Sequence, residues 1–298
     1  MFEGRKVRVG IAPIGWTNDD LPTLGGDTPG TQVMSEAALA GYVGCGVGHK
    51  FPRDPATLRR KLKARGLEVC GVWTSLQFTR KAMHDQTIRS FRDQMNYMKA
   101  VGATDLVCAE LGHAVHQQSI DVLPNKPVFD DAQWKAMVDG LHEIGRIAQD
   151  AGMSVSYHPH TGTGVQTLPE IDRLMADTDP KLVGLLYDPG HLHYGGADPV
   201  EVVRKHGRRI THVHLKDVRQ DVLDRAKKEG MSFLDAVVAG VFTVPSDGNL
   251  PYVEIMKGLD AAGFEGWLEV EAEQDPGKAD PLEYAMKARK FLRDVAGV

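Results

Sequence analysis

Cysteine is scarce in this chain of 298 residues. The three present, Cys45, Cys70 and Cys108, lie in apolar runs, and an odd number so placed argues against a disulfide framework or a thiolate zinc site. Buried thiols in a reducing compartment are the expectation, and the chain is read as cytoplasmic. An excess of positive charge is also missing. The formal net charge is -5 and the isoelectric point near 6.2, which disfavours nucleic acid as the main partner. No apolar run approaches the roughly 18 residues that span a bilayer, and the opening MFEGRKVRVGIAP has no extended apolar stretch of a secretion signal. No membrane is expected. Phosphate-cradling loops are absent as well: GIAPIGW and GVGHKFPRD contain glycine turns, but neither has dinucleotide or P-loop spacing. A nucleotide cofactor has no support.

What is there is enough for one large core, with 42% hydrophobic and 25% charged residues. Short β-branched runs at 7–12, 43–47, 68–74, 105–110, 154–158, 182–187, 211–215 and 267–271 read as strands. Helical patterns alternate with them at 31–40, 55–65, 86–101, 131–151, 168–176, 199–206, 252–262 and 281–295. Eight of each predicts an α/β fold, a single (β/α)8 TIM barrel over 1–298 with no dividing linker. Gly66, Gly152 and Gly263 follow helices just before strands, which suits left-handed C-caps. Two long segments, 15–29 and 218–248, follow the first and seventh strands at the end of the barrel that carries active sites, and both are expected to cover a substrate. The second is predicted to hold a helix over 222–238.

Acidic and imidazole side chains recur where the apolar runs end: SVSYHPH, LVGLLYDPGH, ITHVHLKD and GWLEVEAEQD. Parallel strands that present such groups at one end bring them to a common point, as a metal or acid/base site requires. Asp188 is followed by Pro189 and Gly190, so it reads either as a turn-forming cap or as a ligand. His212 and His214 share a strand face, as do Glu269, Glu271 and Glu273. Three inward carboxylates are costly without a cation, so at least one should meet a metal. His158 and His160 end the fifth strand with shared parity, and Glu110 ends the fourth. Imidazole and carboxylate donors without thiolate fit a divalent ion, with Mn, Co or Mg favoured over Zn and Fe also compatible. Lys216 at the barrel mouth is a candidate to exchange protons or steady an enolate. Trp16 and Trp73 serve either as an apolar wall for a ring or as packing, and Lys50, with His49 and Arg53, either as a contact to substrate hydroxyls or as a solvated charge. His191, just beyond Asp188, is a further candidate contact to substrate.

Taken together, GIAPIGWTNDDLP, KFPRDP, YHPHTGTGVQT, LLYDPGH, HVHLKD, GVFTVPSDG and VEAEQDP resemble the inosose dehydratase family, within the xylose isomerase-like barrel superfamily, along essentially the whole chain. The resemblance implies a metal held by residues ending strands five to eight. By motif these are Asp188, His214 and Glu271, with His158 in place of the usual fifth-strand Glu, or Glu110 as the alternative fourth ligand. It implies a hydro-lyase that takes a cyclic keto-polyol, inosose, to a trihydroxycyclohexane dione, with Mn or Co as cofactor. Glu110 is the expected base and His160 or Lys216 the expected acid. An isomerase or epimerase using the same chemistry is the alternative, and an endonuclease or a sugar-binding barrel would belong to different classes. The expected partner is a small cyclic polyol, and a homo-oligomer is compatible with such a barrel. Two positions depart from the family: Gly46 stands where the dehydratases typically have Glu, and His49 where they have a smaller or amide residue. Both bear on which polyol is accepted.

Overall fold

A computed structural model describes all residues, 1–298. Eleven strands are formed: β1 (Val7–Ile11), β2 (Gly44–Cys45), β3 (Glu68–Val69), β4 (Trp73–Leu76), β5 (Asp105–Glu110), β6 (Ser154–Tyr157), β7 (Gly184–Tyr187), β8 (Ile210–Leu215), β9 (Asp217–Val218), β10 (Phe242–Thr243) and β11 (Gly266–Val270). Nine of them make one all-parallel sheet in the order β3-β2-β1-β11-β8-β7-β6-β5-β4. The two ends of that order are consecutive in the chain. Residues 70–72 join β3 to β4 while still bonding to the second strand, Cys70 N–H to the Cys45 carbonyl and Val47 N–H to that of Gly71. β3 and β4 are thus two halves of one interrupted strand, and the sheet closes as an eight-stranded barrel. The strand expected over 68–74 therefore divides and runs on to Leu76.

Every residue of β5 and β7 is buried, as a parallel strand between an outer ring of helices and a packed barrel interior must be. The helices follow their sequence signals. Asp130 and Gln133 form a reciprocal capping box at the start of the helix Asp131–Asp150, and Gly66, Gly152 and Gly263 all have positive φ. The three cysteines are buried and unpaired. No helix is long and apolar enough to cross a membrane.

Three features differ from expectation. The helix expected over 222–238 is two, Gln220–Glu229 and Phe233–Ala239, because Gly230 turns the chain at φ 63°. A short helix, Pro189–Tyr194, follows β7 directly. The segment 218–248 contributes no side chain to the main cavity. Its Phe233 and Phe242 instead pack on His191 from behind, with ring centroids 5.7 and 5.3 Å away, so this segment buttresses the site. The connection 111–130 brings Leu111, His116 and Gln117 to the cavity beside Asp19 and Asp20 of the segment 15–29.

Candidate active site

At the C-terminal end of the barrel, the side chains of His158, Asp188, His214 and Glu271 offer donor atoms that all lie within 4.8 Å of one another. Each comes from the end of a strand or the residue just beyond it, so four successive strands, β6, β7, β8 and β11, converge on one point. Asp188 serves two purposes. Its Oδ1 accepts the His191 N–H at 3.0 Å and caps the short helix, whereas its Oδ2 has no hydrogen-bond partner though buried. The His214 Nδ1 and Glu271 Oε2 are likewise buried without hydrogen bonds, although they approach to 2.5 Å. A buried Asp188 Oδ2 without a partner, beside that imidazole–carboxylate pair, is costly unless a further group meets it. A divalent cation fits this donor set of two imidazoles and two carboxylates.

Three of the four donors already have the protonation state such a centre needs, and His214 would have to give up a proton. The Nδ1 of His158 faces the Pro159 carbonyl at 2.8 Å, which fixes the tautomer and leaves Nε2, 3.6 Å from Asp188 Oδ2, as the free donor. Burial pushes His158 down to about 4, so it is neutral. Burial also works against charge on His214, but Glu271 and Asp188 outweigh it and raise the imidazole to about 10. For Asp188 burial would raise the pKa, yet Lys216 and the nearby imidazoles hold it well below the carboxylate range. Glu271 is lowered in the same way, by His214 and Lys216 against burial.

Beside the cluster lies a cavity of about 240 Å³ whose lining includes His158, His160, His214, Glu269, Glu271, Glu273 and Trp73. Trp73 is 37% exposed, and its ring meets those of His158 and His160 edge-on at 5.7 and 5.5 Å. His160 is buried, its Nδ1 2.9 Å from the Thr161 carbonyl.

Five expected roles are corrected by the geometry. Glu110 accepts from the Phe78 N–H at 2.8 Å, the Thr79 hydroxyl at 2.8 Å and the Gly112 N–H at 2.9 Å. It is wholly buried and does not line the cavity. It ties β4 and β5 to the loops beyond them and is neither base nor fourth ligand. Lys216 is also fully buried outside the cavity lining. Its Nζ lies 2.5 Å from Glu273, 3.4 Å from Glu271 and 3.7 Å from Asp188; burial opposes its charge, but these carboxylates raise its pKa further. It stands outside the cavity lining as a buried counter-cation to these carboxylates. His191, between that ammonium at 3.0 Å and the Thr161 hydroxyl at 3.0 Å, stands behind the wall and touches no substrate space. Trp16 is buried and donates to Glu36 at 2.5 Å. Lys50 donates to the Gly26 carbonyl at 2.7 Å and so clamps the segment 15–29. Of the two departing positions, Gly46 lines the cavity, while His49 lies outside it against Asp19. Sequence reasoning overlooked Asp20, His116 and Gln117, although the long aperiodic stretch after Glu110, with two histidines, was a visible signal.

A closed parallel barrel with a carboxylate–imidazole centre at its C-terminal mouth defines a class, and residues 34–295 match the family model of the xylose isomerase-like TIM barrel, to which the chain belongs. Closer relatives narrow this. The inosose dehydratase of Geobacillus thermodenitrificans is 49% identical over 299 residues and that of Clostridium beijerinckii 46% over 298, each alignment covering 100% of both chains; within the superfamily, the chain falls among the inosose dehydratases. Among solved structures, the IOLI protein with a zinc atom superposes with a TM-score of 0.74 at 16% identity, over 97% of this chain and 98% of that one. That likeness speaks for the fold alone.

Proposed function

We propose that this chain is a divalent-metal-dependent hydro-lyase that dehydrates 2-keto-myo-inositol (inosose) to a trihydroxycyclohexane dione in inositol catabolism. The observation that carries the reading is the convergence of His158, Asp188, His214 and Glu271, with the buried Asp188 Oδ2 unpartnered, at the edge of a polyol-sized cavity, in a chain with full-length relatives named for that activity. His158, Asp188, His214 and Glu271 would hold the ion. Mn, Co, Fe, Mg and Zn all accept donors of this kind, and Mn or Co is the ion we propose. A divalent cation there supplies Lewis-acid polarisation of a ketone and its neighbouring hydroxyl, which acidifies the adjacent C–H.

His160 is our proton carrier. With Nδ1 committed to the Thr161 carbonyl, its free lone pair is on Nε2, and burial together with His191 lowers its pKa, so the ring rests neutral and, once protonated, is a strong acid towards the departing hydroxyl. It takes the carbon-bound proton and returns it to the departing hydroxyl. The carbon–oxygen bond breaks as the carbon–carbon double bond forms, water leaves, and the enol tautomerises to the dione. Trp73 excludes water from one side of the ring. Mass spectrometry of scyllo-inosose incubated with Mn-loaded protein, against a chelated control, should show metal-dependent loss of one water. An unchanged mass with solvent deuterium in the recovered material would replace this reading with an isomerase or epimerase.

A further inference from the structure

We propose that Glu269 is the carboxylate that grips a hydroxyl of the cyclic polyol away from the four-donor cluster, and that Gly46 and Gly71 give it that place by having no side chains. Glu269 projects from β11 in register with Gly10 on one side and His214 on the other. Its side chain is 3% exposed, yet it lines the cavity. The Oε2 is held by His212 Nε2 at 3.0 Å, and the other nitrogen of that ring meets Asp105 Oδ2 at 2.6 Å. Asp105 in turn accepts from the hydroxyls of Ser154 and Ser156, both at 2.9 Å. This chain of contacts through the barrel interior sets the carboxylate plane. Its other oxygen, Oε1, is turned towards Gly46.

The two glycines complete the fit. A Cβ at position 46 would lie 2.5 Å from Oε1, and one at position 71 would lie 2.5 Å from Oε2. Both distances are shorter than carbon and oxygen tolerate, so any side chain at either position displaces the carboxylate. Space at Gly46 and Gly71 is therefore a condition for Glu269 to reach from β11 to the ends of the second and third barrel strands. Of the four donors of the cluster only His214 adjoins it, with Nε2 3.8 Å from Oε2.

A carboxylate with one oxygen anchored and the other at a polar cavity is an acceptor for a hydroxyl donor, stronger than a neutral acceptor. Asp19, Asp20, Glu271 and Glu273 line the same cavity, so a phosphorylated or carboxylated ligand meets like charge there. The ligand class is a neutral polyol. The role assigned to Glu269 rests on the dehydratase reading for its substrate, but its binding function is separable from turnover.

The experiment combines Glu269→Gln and Gly46→Ala, each read by inosose turnover, by Mn(II) binding and by calorimetric binding of myo-inositol, an unreactive polyol. Both variants should raise KM about tenfold or more and weaken myo-inositol binding in parallel, with Mn(II) affinity and kcat changed far less. The double variant should be no worse than Glu269→Gln alone, because the alanine acts by displacing the carboxylate. Wild-type KM and wild-type polyol binding in either folded variant would overturn the proposal, as would loss of Mn(II) in step with loss of activity, which would make Glu269 a support for His214 instead. If Glu269→Gln fails to fold, Gly46→Ala decides. Wild-type protein that binds myo-inositol without dehydrating inosose would refute the dehydratase reading and leave the Glu269 comparison intact.

Discussion

Loading the metal-free protein with Mn(II) should expel one proton from His214. In the absence of an ion this imidazole stands at about 10, raised by Glu271 and Asp188 against its burial. A metal ion and a proton compete for its ring nitrogen. The other three donors have nothing to lose at neutral pH: His158, at about 4, is already neutral, and Asp188 and Glu271 are both held below the carboxylate range. At pH 7 the proton on His214 costs about three decades of apparent affinity, or about 4 kcal/mol. Apparent affinity should therefore rise about tenfold per pH unit from pH 6 to 9, and this rise should end as the pH passes through about 10. Below about 4 the fall should steepen, because His158 then takes up a proton too. Calorimetric titration in two buffers of different ionisation enthalpy counts the protons directly. A release of one per ion supports the assignment. A release of none, with pH-independent affinity, would mean that His214 is neutral in the free protein or is not a ligand, and a release of two would mean that His158 is not the preformed donor described above.

Glu110→Gln should keep kcat within a few fold but lower stability by about 1–3 kcal/mol, seen in thermal or denaturant unfolding, because an amide cannot accept from every donor now facing the carboxylate. Lys216→Met should destabilise the metal-free protein by about 3–5 kcal/mol, since Asp188, Glu271 and Glu273 lose their buried counter-cation; added Mn(II) should recover part of this in a melting experiment. His160→Gln should retain Mn(II) and myo-inositol binding while kcat falls by about a hundredfold or more. Normal turnover in that variant would remove His160 from proton transfer.

The barrel was legible because each strand is a short apolar run ended by Gly, Pro or a polar residue, and because helical periodicity fills the gaps between runs. Convergence at one mouth follows from parallel strands, so parity along VHL and LEVEAE was enough to bring His214 and Glu271 together, with Asp188 and His158 beside them. Glu110 misled for a physical reason. It ends its strand as Asp188 does, but Phe78, Thr79 and Gly112 come from loops whose course sequence spacing does not determine, and they satisfy it completely. Lys216 and His191 lie on the right elements but on the far side of the wall, a distinction set by packing against Phe233 and Phe242. The value of Gly46 and Gly71 was hidden in the same way: a glycine at a strand end announces a close approach without saying that the approaching group is the carboxylate of Glu269.

The most direct test of the centre is an electron paramagnetic resonance titration of metal-free wild-type protein and Asp188→Ala with Mn(II). One tightly bound ion per wild-type chain, lost in Asp188→Ala, is the expected result. Equal binding by the two proteins, or none by the wild type, would contradict the assignment of His158, Asp188, His214 and Glu271 as the metal centre.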